Sequence, residues 1–178
     1  MLDIMRNRRS IRKFKDRPVE PALYEQLIHA ALLAPSSMNK RPVALVAVTD
    51  RALIGALAAC KNFGTAALET APLVFAVTAD SALSDVWVED ASIVGAYLLL
   101  MAEVLGLGAN WIQIRRRSSG TEDSERAVRS LLGIPERYGV VCLVAVGHRD
   151  EHKAPAGEEV LHRGAVHHNR FQAPADLC

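Results

Sequence analysis

Three cysteines in 178 residues, Cys60, Cys142 and Cys178, form no Cys-x-x-Cys pair, which excludes a disulfide framework and points to a reducing, cytoplasmic compartment. With no clustered cysteine and histidine set either, no metal site is expected. Aromatic residues supply only 5% of the chain, so its core has to be packed from alanine, leucine and valine. No Gly-x-Gly-x-x-Gly and no Walker loop follows an apolar run, which removes the two common backbone cradles for phosphate. No Ser/His/Asp set and no paired-carboxylate signature stands out, so no side chain is marked as a catalytic acid, base or nucleophile. The longest apolar stretch, Ala91 to Leu107, is interrupted by Ser92 and Glu103 and is too broken to span a bilayer. The first residues, Met1-Leu2-Asp3, lack the basic and apolar regions of a signal peptide, and none is expected.

What is present suits one domain of ordinary size over residues 1–178. Half the residues are hydrophobic and the mean hydropathy is +0.11, more apolar than a soluble monomer needs, so a large subunit interface is expected. Net charge is +1, yet residues 1–17 hold seven Lys/Arg against two Asp, which leaves the remainder at −4. A duplex-binding protein carries a broader excess, so a small phosphorylated ligand fits better than nucleic acid.

The basic run peaks at Arg8-Arg9-Ser10-Ile11-Arg12. A guanidinium is a planar donor fork, permanently charged, that matches phosphate oxygens. If this segment is extended, Arg8, Ser10 and Arg12 point one way and Arg9 and Ile11 the other, so three polar side chains can face one ligand.

Along the chain, a short helix is expected over Leu2–Arg9 and a second opening at Pro21, with Leu23, Leu27, Ala30, Ala31 and Ala34 on its apolar face. The loop Pro35-Ser36-Ser37-Met38-Asn39 follows, rich in small hydrogen-bonding side chains. Val43–Thr49 reads as a strand buried on both faces, and Asp50 starts a third helix that ends near Cys60. Leu73–Thr78 is a second buried strand. Trp87–Leu105 is the longest helix, apolar nearly all round, and is expected to be covered on every side, partly by a second subunit. Ala109–Ile114 and Val140–Val146 complete four strands. Ser119 with Glu122 fits a capping box for a helix stopped at Gly133. Arg149–Cys178, including Pro174, is polar and expected to wrap along another surface. Adjacent His167 and His168 point opposite ways if extended and do not read as a metal pair. The alternation of elements gives an α/β-like or α+β class, with strand direction open.

Six pieces in this order resemble the FMN-dependent nitroreductase family. They are Arg8-Arg9-Ser10-Ile11-Arg12-Lys13-Phe14, Ala34–Asn39, Ala71-Pro72-Leu73-Val74, Gly106–Ile112, Leu132–Glu136 and Val166–Phe171. The resemblance implies an α+β three-layer sandwich with a central, mainly antiparallel sheet, in an intertwined homodimer whose FMN sites are built from both chains. It also implies that residues from about 150 to 178 wrap the partner.

On this resemblance Arg8 and Ser10 hold the FMN phosphate with Arg9 beside them, and Arg12 lies near the N1/C2=O edge, tuning the flavin. Pro35, Ser36, Ser37 and Asn39 come from the partner chain, Asn62 lies by the ring edge, and Gln113 and Ile114 set backbone against the N5 side. Lys153 adds a phosphate contact, with Arg115 as a substitute. NAD(P)H is the implied donor, and a nitroaromatic, quinone or similar small molecule the acceptor. At Gly147-His148-Arg149, histidine and arginine replace the family's usual aromatic and proline. Other readings are a flavin-binding module without turnover, a divergent member with a specialised substrate, and a binder of acidic partners through the basic terminus.

Overall fold

A computed structural model describes residues 1–172; Pro174 and Cys178 lie outside the described residues. The first helix, α1 (Leu2–Asn7), stops where Arg8 turns extended at ψ 113°, earlier than the expected Arg9. A proline at its first position, where no backbone N–H is missed, opens α2 (Pro21–Leu32). The Asp50 side chain caps α3 (Arg51–Ala58) by accepting from the Leu53 amide at 2.8 Å.

The principal strands are β1 (Val43–Val48), β2 (Leu73–Asp80) and β3 (Gly108–Gln113). After the longest helix, α4 (Trp87–Val104), and β3 come two-residue strands β4 (Ser118–Ser119) and β5 (Glu122–Asp123), then α5 (Ser124–Leu132) and β6 (Tyr138–Gly147). The main sheet runs β1-β2-β6-β3 with every neighbouring pair antiparallel, which resolves the class to α+β.

Two apolar clusters lie against the two faces of this sheet. On β2 the period of two is plain: Val74 and Ala76 join the cluster with α3 and α5, while Leu73, Phe75 and Val77 join the one with α2 and α4. The three layers are therefore α3/α5, sheet and α2/α4. Opposite Val77 and Thr78, β6 carries one extra residue, a bulge at Val141. Its carbonyl accepts from both the Ile114 and Arg115 amides, each at 3.1 Å, and so steers the chain leaving β3.

Two expectations need correction. The run at β1 is not buried on both faces: it is an edge strand with Ala44 and Ala47 exposed, because an apolar hexamer reads alike at the edge and in the middle. Helix α4 leaves one apolar face open in the single chain, with Tyr97 and Val104 38% and 53% exposed while Leu98 and Ala102 are fully buried. The capping box is absent. Ser119 and Glu122 instead pair across a β4–β5 hairpin turned at Gly120 (φ +59°), and Asp123 caps α5 by accepting from the Arg126 amide at 2.9 Å.

This last correction is testable by urea unfolding. Asp123→Ala should cost roughly 1 kcal/mol, the worth of an N-cap, whereas Ser119→Ala should stay within a few tenths. Equal losses would restore the capping box.

Candidate active site

The arginine segment runs along the open edge of β3. Ser10 bridges Ala109 in parallel, and the Ile11 amide donates to the Ala109 carbonyl at 3.0 Å. Ile11 is 1% exposed and passes so close to Gly108 that a Cβ there would lie 2.7 Å from its Cγ2. Glycine at 108 is what lets the segment seat. With Ile11 fixed inward, the pleat turns Ser10 and Arg12 outward, as the alternation of positions predicts.

A second segment clamps the first from beyond. The Asp150 amide donates to the Lys13 carbonyl and the Lys15 amide to the His148 carbonyl, at 3.0 and 2.9 Å. Lys153 donates to the Ser10 carbonyl and pairs with Glu151 at 3.3 Å, Glu151 accepts from the Arg12 amide, and Arg9 donates to the Ala154 carbonyl. Lys153 thus reaches the site, engaged with backbone and an acid, while Arg9 turns away to the return segment. The guanidiniums of Arg8 and Arg12 make no hydrogen bond or ion pair with the described residues, although Arg6, Arg9 and Lys153 around them are engaged. Unpaired forks on a fixed edge are suited to an anion brought from outside. An FMN phosphate fits that donor set.

The family departures at 148 and 149 have a structural use. Arg149 donates to the Leu107 carbonyl at 3.1 and 2.9 Å and pairs with Glu103, tying the end of β6 to the α4–β3 connection. His148 Nε2 lies 3.0 Å from Glu20 Oε2. The Glu20 carboxyl is held below the usual carboxylate range by its own backbone amide above all, and also by His148 and Arg17, against the opposing effect of burial.

The Pro35–Asn39 loop is at the other side of the molecule. It leads into β1 while the arginines lie along β3, so three strand spacings, about 14 Å, separate the two edges. The structure does not bring Pro35, Ser36, Ser37 and Asn39 to Arg8 and Arg12 within one chain. The loop is nonetheless rigidly set. Asp90, 2% exposed in α4, accepts from the Ser37 amide at 2.7 Å and from the Ser84 hydroxyl at 2.9 Å, and Ser36 Oγ accepts from the Arg41 amide at 2.9 Å. Met38, Asn39 and Arg41 all hold positive φ, a conformation kept only where its surroundings over-determine it.

The remaining candidates lie where β3 ends. Asn62 Oδ1 accepts from the Gly120 amide at 3.0 Å, leaving its NH2 open. Gln113 accepts from Trp111 Nε1 at 2.9 Å and donates to the Arg115 carbonyl at 3.0 Å. Ile114 is fully buried, and both its backbone groups are engaged, the amide with Val141 and the carbonyl with Arg117. Arg115 is engaged elsewhere, its guanidinium 5.4 Å from the Trp87 ring centre.

Sequence reasoning passed over Asp90 and Glu151. An acid in the first turn of an otherwise apolar helix was the available signal for Asp90. The two histidines form no strand: His167 accepts from the Gln172 amide at 3.2 Å and packs on Phe171. Among the described residues no group of three or more His, Cys, Asp or Glu is placed to hold a metal, and no helix is long and apolar enough to cross a membrane.

Comparison with known proteins matches this arrangement. The nitroreductase family model covers residues 5–72 and 57–148. An FMN-dependent nitroreductase from Clostridium difficile superposes with a TM-score of 0.93 at 38% identity, over 96% of this chain and 100% of that one. An Archaeoglobus fulgidus protein provisionally assigned as an NADH dehydrogenase/NAD(P)H nitroreductase is 33% identical over 96% of this chain and 98% of its own. The NADPH-flavin oxidoreductase of Vibrio harveyi is 32% identical over 92% of this chain and 71% of its own. The chain belongs to the nitroreductase family, and the sandwich implied by resemblance is the one observed.

The clamp carries a pH dependence. The Arg12 amide first, then Lys153, hold the Glu151 carboxyl below its ordinary 4.5, against desolvation. Because the folded value is the lower one, this stabilisation is complete above pH 4.5 and is lost as pH falls through the lowered value. Glu151→Gln should therefore cost roughly 1 kcal/mol near neutral pH. The thermal-melting difference from wild type should shrink as pH falls below 4.5, and a difference that does not shrink in acid would contradict the assignment.

Proposed function

We propose that this chain is an FMN-dependent NAD(P)H oxidoreductase that reduces nitroaromatics, quinones or similar small acceptors by a ping-pong cycle. The observation that carries this reading is the pair of unpartnered guanidiniums, Arg8 and Arg12, held on the β3 edge by Ile11 and the 150–154 return. The relatives named for FMN and flavin use support it. A bound flavin would supply the redox chemistry, accepting hydride from the nicotinamide donor and passing the electrons on to the acceptor.

The protein's share is placement and electrostatics. Arg8 and the Ser10 hydroxyl grip the phosphate, with Arg9 and Lys153 holding the segment that presents them. Arg12 offers a fixed charge at the N1/C2=O edge, where two-electron reduction puts negative charge, and so raises the midpoint potential. Asn62, whose NH2 has no partner among the described residues, and the Gln113 segment would border the flavin ring. No residue acts as acid or base on carbon.

The working unit in this reading is a homodimer. Pro35, Ser36, Ser37 and Asn39, too far from the chain's own arginines, complete the partner's site. The apolar face around Met5, Tyr97, Met101 and Val104 supplies the interface. Residues 1–178 form one domain, whose segment beyond about 150 wraps the partner, using Val160, Val166 and Phe171, all exposed in the chain alone. The buried Cys60 and Cys142 thiols, pushed up in pKa by burial, fit a cytoplasmic setting.

The decisive measurement is FMN uptake with an absorption spectrum that bleaches under NADH or NADPH. Arg8→Ala should weaken FMN binding by roughly tenfold or more. Arg12→Gln should retain FMN but lower its midpoint potential by on the order of 30 mV. Folded protein that takes up no FMN, or an unchanged potential in Arg12→Gln, defeats the respective claim.

A further inference from the structure

Past the end of β3 the chain carries Arg115-Arg116-Arg117, and the structure sets Lys61 against them. The Asn62 amide donates to the Ser118 carbonyl at 3.4 Å, and the Ser124 hydroxyl donates to the Cys60 carbonyl at 2.6 Å. These bonds fasten the 60–62 turn to the 117–124 hairpin, so Lys61 abuts the turn that presents Arg116 and Arg117. Arg115 lies over Trp87, but Lys61, Arg116 and Arg117 form no ion pair among the described residues.

The neighbouring acids are committed elsewhere. Glu122 pairs with Arg126 at 3.7 Å, Asp123 caps α5, and Glu125 pairs with Arg129 at 3.8 Å while accepting from the Val140 amide at 3.1 Å. The Lys61 ammonium is pulled down in pKa by partial burial first and by the Arg117 charge second. Arg116 holds φ +58°, unfavourable for a side-chain-bearing residue. Like charges are thus crowded on a braced turn, beside the Asn62 and Gln113 positions assigned to the flavin ring. The cluster is local on a chain whose residues beyond 17 are net negative, so it fits a small polyanion better than a nucleic acid.

We propose that Lys61, Arg116 and Arg117 dock the phosphates of the nicotinamide dinucleotide donor, a role that rests on the flavin reading above. A nicotinamide delivered to N5 carries its pyrophosphate one ribose away, and the adjoining cationic turn receives it. Arginine forks engage phosphate oxygens in pairs, and Lys61 adds a point charge. No bond is made or broken at the cluster. It sets donor affinity, and the neutral ring alone does not use it.

The test uses the FMN-loaded enzyme with NADH, NADPH and 1-benzyl-1,4-dihydronicotinamide, which keeps the hydride-bearing ring and has no phosphate, and with 1,4-benzoquinone as acceptor. In Arg116→Gln/Arg117→Gln, and more weakly in Lys61→Gln, KM for both dinucleotides should rise, roughly tenfold in the double variant. KM for the benzyl donor should stay within about twofold, and the salt dependence of the dinucleotide KM should flatten. Flavin content of each variant reports its fold. An unchanged dinucleotide KM overturns the proposal, as does an equal rise with the benzyl donor. A rise confined to an anionic acceptor, 4-nitrobenzoate, also overturns it and gives the cluster to the acceptor. Wild-type protein that takes up no FMN overturns the flavin reading and this one with it.

Discussion

The site depends on one seating: Ile11 pressed into the core against Gly108, with its amide on the Ala109 carbonyl. A single buried side chain sets the phase of the pleat, and the phase decides which way Ser10 and Arg12 face. The short α1 cannot impose this, since none of its residues is buried. The return segment adds the second constraint. Lys153 and Glu151 grip the backbone of Ser10 and Arg12 and leave the guanidinium of Arg12 clear. Holding the main chain with one set of charges frees another for a ligand.

A similar division of labour appears in the loop before β1. Asp90 would be costly as a lone buried carboxylate, but it accepts from the Ser37 amide and the Ser84 hydroxyl. In exchange a stretch with three non-glycine residues at positive φ keeps one shape. The departures at His148 and Arg149 follow the same pattern. Arg149 uses its fork on the Leu107 carbonyl and Glu103, so the end of β6 is fixed to the α4–β3 connection by side-chain bonds.

Local signals made much of the fold legible. Pro21, Asp50 and Gly133 mark helix ends through chemistry confined to a turn, and each stands where its element begins or stops. The strands were legible as apolar runs, but their order was not: the hexamer at β1 carries no mark of edge or centre. The Ser119–Glu122 pattern misled because a local motif competes with its neighbours. Gly120 can turn a hairpin, and Asp123, directly before Ser124, takes the cap. At the site, the alternation of an extended segment put Ser10 and Arg12 on the side opposite the buried Ile11. The clamp was invisible, since Lys153 meets Ser10 across 143 positions and no pattern in a single chain encodes that meeting.

The open flank of β1 has a consequence for handling the protein. Residues 43–48 offer unpaired N–H and C=O groups beside partly exposed valine and leucine, and among the described residues no charged side chain projects from the strand to discourage a second strand from adding there. A stray protomer is therefore a template for fibrillar aggregation. Concentration and ionic strength then bear on solubility through this edge.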